Sequence, residues 1–459
     1  MKKTIVSLLA IATVLGGAGA ASAETLKEAL EAAYASNPTL QAQRAAVRAI
    51  DNTVPGAKAA FLPSINGTAT YGKGDIKEPD TTAPIGPDEV TKFDSTSYGA
   101  EAQLSIFNGL RDLNAVKQAK AEVMVARAQL QDTEQQVLLQ GIAAYMDVVR
   151  DQSVVELNKN QVQVLERQLE ASRDRFRVGE ITRTDVAQSE ARLEGAKSQL
   201  LAAEAQLAAS RGAYQRVIGR APAGLETPGG LPTLPASLED SIQTAMTDAP
   251  VVIAARYSEQ AARHGVNITK GGLLPRLGAQ ASWEKTEGSS AIGGGLVTED
   301  SERTNRSFGF QLTVPLYQGG GEWADIRRAK EVRSQRMVQI VEAERSAQET
   351  ALVTWDRLRA ARGQIASTEA QVRANEIALE GVRQEAAVGS RTTLDVLNAE
   401  QELLDARANL IRAQRDEFVA AYNLLAAVGT LNSATLGLEV DAYDPEEHYD
   451  DVKNQMIGW

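Results

Sequence analysis

The chain has 459 residues, with 48 Lys and Arg against 60 Asp and Glu, for a formal net charge of -12 and a pI near 5.0. That balance argues against nucleic acid as a partner. With no cysteine and only two histidines, His264 and His448, disulfides and thiolate metal sites are excluded, and neither a metal cluster nor a Ser-His-Asp arrangement is favoured. The expectation is a protein that is not an enzyme and needs no cofactor or metal, with His264 on the surface.

Met1-Lys2-Lys3 is a basic start, Ile5 to Ala12 is apolar, and Ala21-Ser22-Ala23 is a small-residue cleavage site. Residues 1–23 therefore read as a Sec signal peptide, and the mature chain is expected to begin at Glu24. Beyond it no apolar run approaches the length of about 18 residues that a membrane helix needs. If the chain crosses a membrane, it must do so with strands.

The mature sequence repeats itself. Thr25-Leu26 matches Ser237-Leu238, Asn37-Pro38 matches Ala249-Pro250, and Phe61-Leu62-Pro63 matches Leu273-Leu274-Pro275, all offset by 212. Phe107-Asn108-Gly109 matches Tyr317-Gln318-Gly319, Tyr145 matches Trp355, and Ile218-Gly219 matches Val428-Gly429, offset by 210. The division is a first repeat over 24–218, a Pro/Gly-rich linker over 219–236, a second repeat over 237–429, and a tail over 430–459. The acidic tail is expected to be solvated.

Each repeat reads as helix, strand, strand, long helix, shorter helix. Thr25 to about Lys58 is predicted helical. Leu62 to Tyr71 and Thr96 to Phe107 switch the apolar period from 3.6 to 2. In the second repeat Phe308, Phe310, Leu312, Val314 and Leu316 alternate with Ser307, Gly309, Gln311, Thr313 and Pro315. Such alternation suits a soluble antiparallel sheet and a membrane barrel equally. Gly72 to Ser95 and Gly288 to Asn305 are expected to be long polar loops. Leu110 to about Phe176 then runs helical without proline. Seven-residue spacing of Val116, Val123, Leu130 and Val137, and of Ala399, Ala406, Ala413 and Ala420, is coiled-coil periodicity.

Helix lengths set the expected packing. The long helix spans roughly 100 Å, the return helix roughly 55 Å and the first helix roughly 50 Å. The two shorter ones are expected to stack end to end along the long one.

The two copies of one stretch mark the hairpin tips. FRVGEITRTDVAQSEARL at Phe176–Leu193 and AAVGSRTTLDVLNAEQEL at Ala386–Leu403 align Val178-Gly179 with Val388-Gly389 and Asp185 with Asp395. Gly, then Ser or Thr, then Asp before renewed apolar periodicity is how one helix stops and the next is capped. Asp185, directly after Thr184, is expected to cap.

Together, the signal peptide, duplicated unit, paired Leu-Pro strand starts, aromatic-x-Gly turns and twin Val-Gly hairpins resemble the TolC family of outer-membrane efflux and secretion proteins, over Glu24 to Gly429. The resemblance implies a mainly α protein with a membrane β-barrel: a homotrimer pooling twelve strands in outer-membrane lipid, with an α-helical tunnel in the periplasm. It implies the exit duct of a tripartite type I secretion or multidrug efflux system, partnered by a periplasmic adaptor and an inner-membrane ABC or RND transporter. Asp395 and Asn398 would lie at the tunnel entrance, and Arg391 would tether its coil to the neighbouring hairpin at Thr184 and Asp185. The family's second entrance aspartate falls on Asn398 and its tether tyrosine on Ala386, so one acidic ring and a tether resting on Arg391 are expected. The other classes are a passive porin, which leaves the long helices unexplained, and a periplasmic structural coiled coil, which leaves the strands unexplained.

Overall fold

The computed structural model describes residues 24–78, 89–292 and 297–455; the expected signal peptide lies outside them. In chain order the elements are α1 (Leu26–Ser36), α2 (Pro38–Asp51), α3 (Thr53–Lys58), β1 (Ser64–Glu78), β2 (Glu89–Asn108), α4 (Arg111–Arg177), α5 (Arg183–Ile218), α6 (Leu238–Asp248), α7 (Pro250–Gly271), β3 (Arg276–Ile292), β4 (Val297–Thr313), α8 (Gly321–Ala387), α9 (Thr393–Ala427) and α10 (Glu447–Val452). Both long helices have 67 residues and begin 210 positions apart, so the repeat seen in sequence is a repeat of elements.

The single first helix expected over Thr25–Lys58 is instead broken. Asn37 stands between α1 and α2, its side-chain Oδ1 accepting Thr39 N–H at 2.9 Å, and Pro38 opens the new helix. Proline suits a first helical turn but disfavours helix in the residue before it. Ala249-Pro250 breaks the second repeat between α6 and α7 in the same way.

The strands form one antiparallel sheet in the order β1-β2-β3-β4. They outrun the expected loops: β1 and β2 stay paired from Tyr71↔Thr96 to Glu78↔Glu89, and β3 and β4 from Gly288↔Ser301 to Ile292↔Val297. Backbone ladders do not require apolar side chains, so pairing continues where the period-2 signal ends. At the other end β4 stops at Thr313, so Val314 and Leu316 lie beyond it. Pro315 has no N–H to extend the ladder.

Register puts the apolar side chains on one face. Ile65, Ala102, Ala281 and Phe308 form one cross-strand row; Leu104, Ala279 and Phe310 form the next; Phe107, Leu277 and Leu312 form a third. The rows between them, such as Asn66, Glu101, Ser282 and Ser307, belong to the opposite face and are polar. Phe308 and Phe310 pack edge to face with ring centroids 5.1 Å apart, yet both remain largely exposed.

The described residues fall into two compact units. One gathers residues 24–41, 133–245 and 348–442 around a core of Leu30, Leu138, Ile142, Tyr145, Tyr214 and Leu425. The other gathers 42–132, 246–347 and 443–455 and contains the sheet. In that second unit Val54, Ala119 and Val123 form a small core on which Tyr449 packs. The tail beyond Ala442 is thus not simply solvated. Glu446 pairs with Arg127 at 3.0 Å, His448 Nδ1 lies 3.1 Å from the buried Asp51 carboxylate, and Tyr449 sits under the Arg127 guanidinium. Aromatic and cationic partners offset what the acidic composition alone suggested.

Candidate functional site

Both hairpin tips are built alike. The long helix ends in a Schellman motif: Glu180 N–H donates to Arg175 O at 2.9 Å and Gly179 N–H to Phe176 O at 3.0 Å. The second tip repeats it, with Ser390 to Glu385 O at 2.9 Å and Gly389 to Ala386 O at 3.1 Å. Gly179 and Gly389 have φ of 79° and 83°, the left-handed conformation this motif demands and side chains resist. Val178 and Val388, just before them, are among the most exposed large apolar residues of the chain, at 78% and 82%.

Capping boxes start both return helices. Thr182 is the N-cap of α5 and Thr392 of α9, and the residue three positions on is Asp185 or Asp395. Asp185 Oδ2 accepts Thr182 N–H at 2.9 Å and Asp395 Oδ2 accepts Thr392 N–H at 2.9 Å, while each Thr hydroxyl faces its Asp in return. Asp185 thus caps as expected, as the third-position partner of the N-cap Thr182, and Thr184 is an exposed first-turn residue. Bonds from the Thr392 backbone and hydroxyl hold the Asp395 carboxyl below the usual carboxylate range, and those from Thr182 do the same for Asp185. Both are anionic over ordinary pH, and both also serve helix initiation.

Arg391 pairs within its own hairpin: its Nε donates to Glu385 Oε2 at 2.8 Å, with both side chains about half exposed. Thr184 and Asp185 of the same chain are not its partners. Asn398 joins the two hairpins, accepting a hydrogen bond from Arg192 Nη2 at 2.7 Å. Its neighbour Leu397 is buried among Leu165, Leu169, Leu193 and Ala196. Arg192 and Glu385 are not singled out by the sequence, because the duplicated stretch shows only what its copies share. Position 192 is Arg where its counterpart 402 is Glu, and 385 is Glu where 175 is Arg. Those departures from the repeat were the available signal. A feature the copies do share is an ion pair zipping each hairpin: Arg173 to Glu190 at 3.6 Å, and Arg383 to the buried Glu400 at 3.0 Å.

His264 is half-buried, its Nδ1 3.3 Å from Asn114 Oδ1, rather than fully on the surface. Burial, with Arg263 and Lys117 nearby, pushes its imidazole down, so it stays neutral near pH 7.

Comparison with known proteins places these features in company. The family model described as outer membrane efflux protein matches residues 29–220 and 241–430, the two repeats. The outer membrane efflux protein BepC of Brucella suis is 35% identical over 453 residues, covering 98% of this chain and 95% of the relative. The outer membrane protein TolC of Vibrio cholerae is 28% identical, covering 89% of this chain and 92% of the relative. The alkaline protease secretion protein AprF of Pseudomonas aeruginosa is 26% identical, covering 83% and 79%. Among solved structures, CusC superposes with a TM-score of 0.75 at 15% identity, covering 88% of this chain and 92% of that one. The Vibrio cholerae outer membrane protein VceC superposes at 0.71 and 22% identity, covering 88% and 96%.

Proposed function

The chain belongs to the outer membrane efflux protein family, and from that premise we propose how it works as an outer-membrane exit duct. Its sheet has four strands and therefore two open edges, β1 and β4. A bilayer leaves no unpaired edge in hydrocarbon, so several chains must pool their strands. Three chains would give twelve strands in one barrel, with the Phe308, Phe310 and Leu312 face against outer-membrane lipid and the polar face lining the lumen. That single-faced register is the observation that carries the reading, because a soluble sheet would cover its apolar rows.

The long α4–α5 and α8–α9 hairpins supply the periplasmic tunnel, and their tips supply its inner end. Processing after Ala23 leaves Glu24 as the first mature residue; two repeats, the linker over 219–236 and the tail over 430–459 complete the chain. The partners are a periplasmic adaptor and an inner-membrane ABC or RND transporter. Relatives of both kinds, an efflux protein and a protease secretion protein, support a general exit role for efflux, type I secretion or both. Asp395 forms the acidic ring of the entrance, and Arg391 holds the entrance shut against Thr184 and Asp185 of a neighbouring hairpin. No step of this work requires chemistry on the cargo, so the chain acts as a conduit and not as an enzyme.

The test is reconstitution. Mature protein extracted from outer membranes should run as a trimer and form channels of low conductance in planar bilayers. A monomer in the soluble periplasmic fraction would sink the duct reading in favour of a structural coiled coil. A channel whose conductance is high at rest and indifferent to the tips would favour a passive porin.

A further inference from the structure

In the first compact unit, the hairpins meet near their tips through two consecutive residues on each side. Leu397 of α9 is 2% exposed and sits among Leu165 and Leu169 of α4 and Leu193 and Ala196 of α5. The next residue, Asn398, accepts its hydrogen bond from Arg192, the residue just before Leu193. Knob and hydrogen bond are thus adjacent on both helices. The leucine fixes how deeply α9 seats, and the directed guanidinium bond fixes its register along α5.

Other polar links close by run within a hairpin and not between the two. Ser172 and Ser189 join α4 to α5 at 3.1 Å, as does Arg173 with Glu190. Arg383 with Glu400 joins α8 to α9, and Arg391 with Glu385 closes the second tip. A further polar link between hairpins, Arg415 Nε to Asp147 Oδ1 at 2.9 Å, lies about 25 Å along α9 by helical rise. Each hairpin is therefore braced internally, while at the tip end one is pinned to the other at a small, mixed contact.

We propose that Leu397 and Asn398 on Leu193 and Arg192 form the pin that sets the position of the second hairpin against the first, with Arg192 a positioning residue for the entrance. This rests on the reading of the tips as the inner end of an exit duct. The acceptor is a neutral amide and both polar side chains are exposed, so the bond is breakable at modest cost. Leu397 keeps the hairpins in contact when it opens. An acidic residue at 398 would turn the bond into an ion pair and tighten the pin. The chain instead carries the weaker acceptor, which suits a contact that must yield.

The experiment is amide hydrogen exchange on the assembled mature protein in detergent, read over residues 393–400, alongside single-channel conductance. Arg192→Ala should raise local opening there about fivefold, equal to about 1 kcal/mol. Arg192→Lys should give a smaller rise, and Asn398→Asp should slow exchange below the parent. Conductance should follow the same order, highest for Arg192→Ala and lowest for Asn398→Asp. Arg192 is exposed, so these variants should assemble normally. Exchange unchanged in Arg192→Ala and Asn398→Asp would overturn the pin. Exchange in the expected order with constant conductance would support the pin and overturn the placement of the entrance at the tips.

Discussion

Tyr214 donates its hydroxyl to the Glu24 carboxylate at 2.8 Å, across 190 positions of sequence. Arg220 binds the same oxygen through Nη2 at 2.6 Å and Nε at 3.1 Å. Beside them the Tyr145 hydroxyl lies 2.8 Å from Glu24 O and 2.6 Å from Glu226 O. The first residue expected of the mature chain is thus clasped to the end of α5 and to the linker that joins the repeats.

Burial pushes the Tyr145 phenol up to about 12, and burial with the bond to anionic Glu24 drives Tyr214 upward too. A phenol raised above its unfolded value of about 10 contributes stability in full below that pH and loses it as pH climbs through the folded pKa. The thermal midpoint of the mature protein should therefore hold from neutral pH to about 10 and decline between about 10 and 12. Tyr145→Phe should lower the midpoint at neutral pH, because a buried donor is lost, and should flatten the alkaline decline. An alkaline limb identical to the parent's would show that other groups govern it.

The residues that match at a fixed offset made the architecture legible. Because Phe107-Asn108-Gly109 matches Tyr317-Gln318-Gly319 at the same offset as the two tips, the helix after each has one length, and both have 67 residues. Val178-Gly179 and Val388-Gly389 gave the tips for the same reason. Strand ends were not legible, since the ladder from Gly72↔Ser95 to Glu78↔Glu89 is held by backbone groups that leave no apolar pattern. Arg192 on Asn398 was hidden for a different reason: it joins residues 206 positions apart with no counterpart in the other repeat. A contact between positions that do not correspond in the two copies carries no periodicity to read.

The single apolar face of the sheet predicts a facing experiment. Leu312 shares a row with Leu277 and Phe107, whereas Gln311 pairs with Gly278 on the other side. A cation on the lipid side costs about 2–4 kcal/mol at the bilayer midplane and less toward the rim, where Leu312 lies one residue from the end of β4. One on the lumen side costs less still. Leu312→Arg should deplete assembled trimer in the outer membrane, while Gln311→Arg leaves it near normal. Equal depletion by both would mean that the two faces do not see different solvents.

Asp395 caps α9 in the structure, and its proposed role in the entrance ring can be separated from that one. Asp395→Asn keeps an oxygen that can accept Thr392 N–H but removes the charge; Asp395→Ala removes both. Block of the channel by trivalent cations added from the tip side should weaken in both variants, since confined like charges concentrate counterions. Amide protection of the first turn of α9 should fall only in the alanine variant. The depressed carboxyl stabilises that turn above its unfolded pKa of about 3.9, and the benefit should disappear as pH falls below about 4 through the lower folded value. Undiminished block in Asp395→Asn would leave the residue with its capping role alone.

Arg391 and Glu385 set the last test. Their contact at 2.8 Å lies within one tip and is about half exposed at each end, where ion pairs hold weakly and exchange partners readily. In the proposed tether the arginine's planar fork turns instead to the hydroxyl and carboxylate of Thr184 and Asp185 on a neighbouring hairpin. With Ala386 offering no hydrogen bond of its own side chain, Arg391 is the group that would make the proposed tether. Glu385 then competes for it, so removing either residue should act in opposite directions. Arg391→Ala should raise single-channel conductance and sensitise cells to large antibiotics, with trimer abundance unchanged. Glu385→Ala, which frees the guanidinium for the neighbour, should lower conductance, and the double variant should behave as Arg391→Ala does. If Glu385→Ala raises conductance as much as Arg391→Ala, the pair works within its own hairpin, and the entrance is held by the tip's internal geometry instead of by a tether between chains.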